Sequence, residues 1–376
     1  MKYCPYLLLA LWALFLVSCT KSNDAAPEVE EPDRGIEREY LINLVYNGEI
    51  TVQSLTVDAT EMEPSAETPR FDAIPVPDLV FREGASMSFS RATGNCDAEF
   101  YINDYGALTT ASMNLFGDLE GCSLSVTAVA HGQNTLFTGY GTEDGNKANG
   151  YYVRISRNGK APVDVALDKK PIMFAPMGGK LFVLTHDVDI TDENGLSVID
   201  LGNHTLLHEQ NLGYGAQKIF AHPQGSLIIG YEELHTKMDP GTYSVTYVNY
   251  GEDTRPDFVK STFLECDAAG KLYYALPYAN AKHSVVPAVF DFSSNTTTIY
   301  KFENFLTEEQ MDTLYNIERA TMVAYDGANN LILIGYRKAG DLDSGGIIRI
   351  KPVPEPAFVD HINVPGVPYN LFVRTN

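Results

Sequence analysis

The chain is built on a repeated beat: a small or polar opening, a leucine, then another apolar or aromatic residue. It occurs at Asn134-Thr135-Leu136-Phe137, Gly179-Lys180-Leu181-Phe182, Gly225-Ser226-Leu227-Ile228, Gly270-Lys271-Leu272-Tyr273 and Asn329-Asn330-Leu331-Ile332. The marker leucines are 45, 46, 45 and 59 residues apart. A period of roughly 40–50 residues, with several short strands in each, is how a β-propeller is written, one blade per repeat. The expectation is therefore an all-β chain of four-stranded blades.

Within each period the beat marks the second strand. One repeat reads as strands at 172–175, 181–185, 196–201 and 206–210. The next reads 218–221, 227–231, 243–249 and 257–260, and the next 262–265, 272–276, 288–292 and 297–302. The long last gap falls at 303–319. There Thr307 precedes Gln310 by three residues, as in a capping box. Phe305, Leu306, Met311, Leu314 and Ile317 form a rough helical stripe, which predicts one short inserted helix. Near the start, runs at 39–46 and 50–57 flank Asn47-Gly48, a strong hairpin signal because both turn residues tolerate positive φ. Residues 58–82, rich in Pro, Glu and Thr, read as a long loop. The run at 369–374 is then the inner strand of a blade whose other strands come from the first hairpin. With this closure blade the count is seven.

Residues 1–18 read as an export signal, with Lys2 followed by 11 apolar residues from Leu7 to Val17. That run is far short of the ~20 needed to span a bilayer as a helix. It ends in Leu16-Val17-Ser18-Cys19, the pattern at which bacterial lipoproteins are cleaved and lipidated, so Cys19 is the expected lipidation site. Residues 19–38 are acidic and poor in large apolar groups, a disordered tether. The propeller domain is 39–376. Acidic residues soon after Cys19 resemble the surface-export signals of Bacteroidetes lipoproteins, and that resemblance implies a place in the outer membrane, held by lipid only, facing outward.

The formal charge is −22, and without residues 1–18, which hold one Lys, it is 26 − 49 = −23. Such a surface repels phosphate backbones, so nucleic acid is excluded as a partner. Cys96 and Cys122 are candidates for a disulfide in an exported chain, and Cys266 for a small buried hydrophobe. The cysteine spacings match no metal motif. Residues 186–195 are acidic, but lack the glycine and terminal glutamate of a calcium loop and read as a turn between strands. His204 and His208 lie in strand-and-turn context, not at zinc-ligand spacing. No nucleophile elbow, phosphate loop or dinucleotide fingerprint occurs, and no cofactor or metal is expected.

Loops that follow the second strands gather at one end of a propeller. Gly139-Tyr140, Gly230-Tyr231 and Gly335-Tyr336 repeat a Gly-Tyr step at their start. Cations follow at several of them. Tyr140, Tyr231, Tyr278, Lys282, Arg337 and Lys338 are therefore the candidate ligand-binding residues. Tyrosines stack and hydrogen-bond, and cations offset the charge of an anionic aromatic ligand. The competing explanation is that Gly-Tyr is a packing device at strand ends. Two alternative functions remain open. One is a glycan-active enzyme using His186, Asp187, Glu232 and His235, which needs two carboxylates facing each other about 5–10 Å apart. The other is a protein-interaction scaffold.

Taken together, the lipidation motif, acidic tether, opening hairpin and propeller beat resemble the Bacteroidetes lipoprotein propellers grouped under a domain of unknown function, DUF4374. In plan the chain is similar to the siderophore-binding surface lipoproteins of xenosiderophore utilisation. The resemblance spans 19–376 and rests on architecture, with no binding motif to carry over. It implies a cell-surface binder that passes a ferric siderophore to a TonB-dependent outer-membrane transporter.

Overall fold

The computed structural model describes residues 35–375, apart from 66–70, 95–96, 120–122, 133, 145–146, 252–253 and 280. Cys19, Cys96 and Cys122 lie outside the described residues. Seven antiparallel sheets form a seven-bladed β-propeller with very little helix. Blade 1 is the closure blade: Val367–Thr375 pairs with Arg38–Tyr46, followed by Glu49–Val57 and Met62–Pro64. Blade 2 runs from Leu79–Glu83 to Thr109–Asn114, blade 3 from Ser123–Gly132 to Val163–Leu167, and blade 4 from Lys170–Met177 to Leu206–Gly213. Blade 5 runs from Lys218–Ala221 to Val245–Asn249, blade 6 from Leu264–Cys266 to Thr296–Ile299, and blade 7 from Ile317–Asp326 to Ala357–Val364. The first strand of each blade is innermost, except in blade 1, where the innermost strand is Val367–Thr375. Closure removes the open sheet edges that a row of strands would otherwise present.

Antiparallel order fixes two ends. Turns joining first to second and third to fourth strands share one end, here the turn end. Loops joining second to third strands, and blade to blade, share the other, the loop end. The marker leucines sit at the start of the second strands and are buried. Seven apolar clusters fill the seven interfaces between blades, so each blade gains its core only from its neighbours.

The repeated Gly-Tyr step belongs to these interfaces. A methyl group on Gly139 would come within 2.9 Å of Pro171, which opens blade 4. One on Gly230 would lie 2.7 Å from Phe258 and Val259, which lead into blade 6. One on Gly335 would meet Met322 at 2.5 Å and Pro368 of the closure strand at 2.7 Å. The glycine lets the incoming inner strand of the next blade lie against the second strand.

Five blades turn from third to fourth strand on an aspartate whose Oδ1 accepts two backbone N–H groups: Asp58, Asp104, Asp200, Asp239 and Asp291. In blades 4, 5 and 6 the next residue offers its carbonyl to a cation of the preceding blade. Arg157 Nη2 donates to Leu201 O at 2.8 Å, Lys180 Nζ to Pro240 O at 2.6 Å and Lys237 Nζ to Phe292 O at 2.9 Å. At the ring junction Arg349, fully buried, donates to Asp58 O and holds Asp360 with two bonds at 2.6 and 2.8 Å. Arg154, also buried, joins Asp118 and Asp164.

Closure has its own polar register. Asn43 stands opposite Asn370, and Tyr105 Oη donates to Asn43 Oδ1 at 2.7 Å. Tyr40 Oη donates to Asp326 Oδ2 at 2.8 Å across the blade 7–blade 1 interface. The chain enters at the turn end, where Asn329 of blade 7 takes the Ile36 N–H and returns an N–H to its carbonyl, both at 2.9 Å.

Three expectations change. Residues 58–82 are not one loop: they hold the fourth strand of blade 1 (Met62–Pro64), the pair Ile74–Pro75 and the inner strand of blade 2 (Leu79–Glu83). The third strand of blade 5 is Leu234–Met238, with 245–249 outermost and a 3₁₀ turn at Phe258–Lys260 in place of a strand. Its polar letters hid it, because Thr236 and His235 are buried there. The insertion holds a 3₁₀ turn at Phe302–Asn304 and a five-residue π turn at Gln310–Leu314 rather than one regular helix. Its capping box forms: Thr307 N–H donates to Gln310 Oε1 at 2.8 Å and Gln310 N–H to Thr307 Oγ1 at 3.2 Å.

Two predictions follow from this packing. Gly335→Ala forces Met322 and Pro368 apart and lowers stability by about 1–3 kcal/mol, read as a fall in denaturation midpoint, while Gly340→Ala, at an open turn, stays below that despite its positive φ. Burial also lowers His131, His235 and His361 to about 4. An unfolded histidine titrates near 6.5, so below that pH the unfolded chain binds protons that the folded chain does not. Stability is full above about pH 6.5 and is lost as pH falls toward 4. Melting temperature should drop between pH 7 and pH 5, and His235→Phe should shrink that drop.

Candidate functional site in the central channel

The inner strands of blades 2 to 6 wall a cavity of about 660 Å³. A volume of this size suits a small ligand. Its wall is mostly apolar, with Val80, Ile172, Phe174, Ile219, Phe220 and Phe263 among its members. The wall includes four charged side chains, Arg82, Glu83, Lys218 and Glu265, together with the thiol of Cys266.

Blades 1 and 7 are missing from this wall because a bar crosses the channel in front of them. Arg82 reaches from blade 2 to Glu265 of blade 6, with Nη1 to Oε2 at 2.9 Å, and also donates to Asn370 Oδ1 of the closure strand at 2.5 Å. Its guanidinium lies 4.2 Å from the centre of the Phe372 ring. Phe263 of blade 6 meets Tyr369 of the closure strand edge-to-face at 4.5 Å. The bar is ionic and aromatic, and three blades that are not all neighbours contribute to it. Burial raises the Glu265 carboxyl, and Arg82 opposes that shift.

Lys218 begins the inner strand of blade 5, at the loop end. Its amine donates to the Ser261 carbonyl of the blade 6 approach. Burial alone lowers this amine to about 8, so the ammonium form still prevails at neutral pH. Glu83 ends the inner strand of blade 2, at the turn end, and burial raises its carboxyl. Burial pushes the Cys266 thiol up to about 12, which leaves it protonated and unreactive.

None of the six residues chosen from sequence lines this cavity. Tyr140 is 3 % exposed and stacks on Tyr152 at 5.3 Å in the blade 2–blade 3 interface. Tyr231 sits in a small outer groove with Tyr247 and Leu212, and burial raises its hydroxyl to about 12. Tyr278 lies under the Lys301 amine at 5.2 Å. Lys282 pairs with Asp312 of the insertion at 2.6 Å, and Arg337 holds Glu318 with two bonds. Lys338 is half-buried, and its backbone N–H bonds Ser344 O. They do share the loop end, but each is engaged within its own sector of the ring.

The four residues of the enzymatic alternative also stand apart. His186 Nε2 lies 3.1 Å from Asp192, and Asp187 caps its own loop through Ile190 and Thr191. Glu232 faces Lys260. His235 is fully buried against Phe290, Phe292 and Tyr250, in the core of an interface and not at the mouth. Among the described residues, no group of three or more His, Cys, Asp or Glu is placed to hold a metal ion.

The channel residues left a weak trace in the sequence. Arg82, Lys218 and Glu265 are charges set inside or at the edge of short apolar runs, Leu79–Glu83, Lys218–Ala221 and Leu264–Cys266. Aligning the inner strands would have exposed them.

No protein-family model matches the chain, and no curated protein matches it. Similar solved structures exist at low identity. Puromycin hydrolase is 10 % identical with a TM-score of 0.50, over 88 % of this chain and 54 % of that one. This chain thus spans about half the length of that hydrolase. A hypothetical selenium-binding protein from Sulfolobus tokodaii is 11 % identical (TM-score 0.49, 92 % and 94 % covered). Apo AztD from Citrobacter koseri is 12 % identical (TM-score 0.49, 90 % and 98 % covered). The likeness to puromycin hydrolase agrees with the propeller fold and shows nothing finer.

The bar gives a measurable expectation. Arg82→Met leaves the Glu265 carboxylate without its counter-charge, so its pKa rises further above that of the unfolded chain. The loss is then small where Glu265 is protonated and grows as pH rises through its folded pKa. Water reaches both side chains, so the loss stays below the ~3–5 kcal/mol of a fully buried pair. Melting curves from pH 5 to 8 should show this trend, and Arg82→Met with Glu265→Gln should remove most of the pH dependence.

Proposed function

We propose that this chain is a surface-anchored, non-enzymatic binding propeller. It takes a small ligand into the channel between blades 2 and 6, for delivery to a TonB-dependent outer-membrane transporter. The channel cavity, apolar and walled by rigid strands, is the observation that carries this reading. The lipidation motif at Cys19 and the acidic tether support surface anchoring. Resemblance to the DUF4374 lipoprotein propellers makes a ferric siderophore the first ligand class to test.

The two ends of the domain support the delivery role. The chain enters at the turn end, through Ile36 and Asn329. Large exposed apolar side chains gather at the opposite, loop end: Tyr46, Ile190, Tyr214, Leu314 and Leu342. Ile190 is 86 % exposed and Leu342 72 %. Exposed apolar residues of this kind are what a membrane partner can bury.

A thermal-shift panel on residues 35–376 tests the proposal with ferric siderophores, haem and glycans. A ligand at 100 times its dissociation constant stabilises by about 2.7 kcal/mol. A shift with ferric siderophores is the expected result. A shift with glycans alone would move the function to the enzymatic alternative, and no shift with any would favour the scaffold.

A further inference from the structure

We infer that Lys218 is the anchor for a single anionic group, such as a carboxylate, on an otherwise apolar ligand seated in the channel. The inference rests on the channel being the binding site, and it names the ligand chemistry that this wall selects.

The argument begins with charge. Four ionisable groups of the wall, other than the thiol, face the cavity. Arg82 and Glu265 neutralise each other in the bar across the channel. Lys218 forms no ion pair with a carboxylate among the described residues, and its bonded partner is a neutral carbonyl, Ser261 O. An ammonium has three protons to donate, so the Ser261 bond leaves two for a ligand. Glu83 lies at the other mouth, four residues along an inner strand, or roughly 13 Å away along the axis. It therefore does not screen Lys218.

Geometry adds the second part. Lys218 stands at the loop end, while Ile172, Phe174, Ile219 and Phe220 extend the wall beyond it. A ligand entering there places its apolar body along these side chains and its anionic end against the ammonium. Desolvation, which holds the amine near 8, is the cost that an incoming anion repays. A multiply charged ligand would lack a second free cation in the wall. A neutral one would leave the ammonium desolvated. One negative charge is what the wall accommodates.

The test uses a dansyl-labelled fatty acid and its primary amide as fluorescent probes of the same length. A charge-assisted bond is worth about 1.5–3 kcal/mol, so the acid should bind roughly ten- to a hundredfold tighter than the amide. Lys218→Met should remove that preference and leave amide affinity unchanged or improved. Lys218→Arg should keep part of it. Melting curves of each variant confirm folding, since Met preserves the packing of the lysine stem. If wild type binds both probes equally, the anchor assignment is overturned and the channel reading stands. If wild type binds neither, the anchor assignment is overturned, and the channel reading is decided by the thermal-shift panel. A preference for the acid that survives in Lys218→Met also overturns the anchor.

Discussion

A cation reaching a backbone carbonyl of the next blade is the interaction on which this ring depends. Four-stranded sheets pack through apolar faces, but apolar contact alone leaves their angle and register loose. Arg157, Lys180 and Lys237 each fix one junction by reaching the carbonyl that follows a turn aspartate. Where the ring closes, Arg349 reaches the carbonyl of the turn aspartate Asp58 itself. The aspartate orders the turn, and the ordered turn aims the carbonyl. This use of cations also explains the surface. The chain has only 27 Lys and Arg against 49 Asp and Glu, and several of those cations are held inside junctions. What faces solvent is correspondingly acidic.

The same economy shapes the channel. A propeller's axis is lined by the inner edges of its first strands, and in a seven-bladed ring it leaves room for water. Here Arg82, Glu265 and Phe372 fill one side of it, and Phe263 with Tyr369 completes the barrier. The remaining space belongs to five blades. Its polarity along the axis, with Lys218 at one mouth and Glu83 at the other, follows from strand direction. Each inner strand runs from the loop end to the turn end, so a charge at its start and one at its finish lie at opposite openings.

The blade beat was legible because marker leucines must be buried at fixed intervals. Closure through 369–374 and the Thr307–Gln310 cap were legible for local reasons of pairing and capping. What escaped were strands whose letters are polar. Leu234–Met238 contains His235, Thr236 and Lys237, two of them buried and the third a junction cation, so its pattern reads as loop. Leu79–Glu83 was hidden by the proline- and glutamate-rich run before it. The Gly-Tyr steps carry a packing signal. They repeat because a blade interface needs a glycine at that height, so Tyr140 and Tyr336 repeat with it as buried neighbours. Repetition marks what the ring needs everywhere. The channel wall differs from blade to blade, so its charged residues, Arg82, Lys218 and Glu265, do not repeat.

The pairing of Val367–Thr375 with Arg38–Tyr46 also sets an order of events in time. More than 300 residues separate the two strands, so their meeting carries a large loop-closure cost and belongs to the late, slow part of folding. Until it happens, Arg38–Tyr46 is an open sheet edge of nine residues, most of them apolar, and a template for pairing with another chain. The channel bar is incomplete over the same interval, because Asn370, Phe372 and Tyr369 arrive with the closing strand. Ring closure and the completion of the cavity are thus one kinetic step, and a partly folded molecule is both prone to self-association and without a finished channel wall.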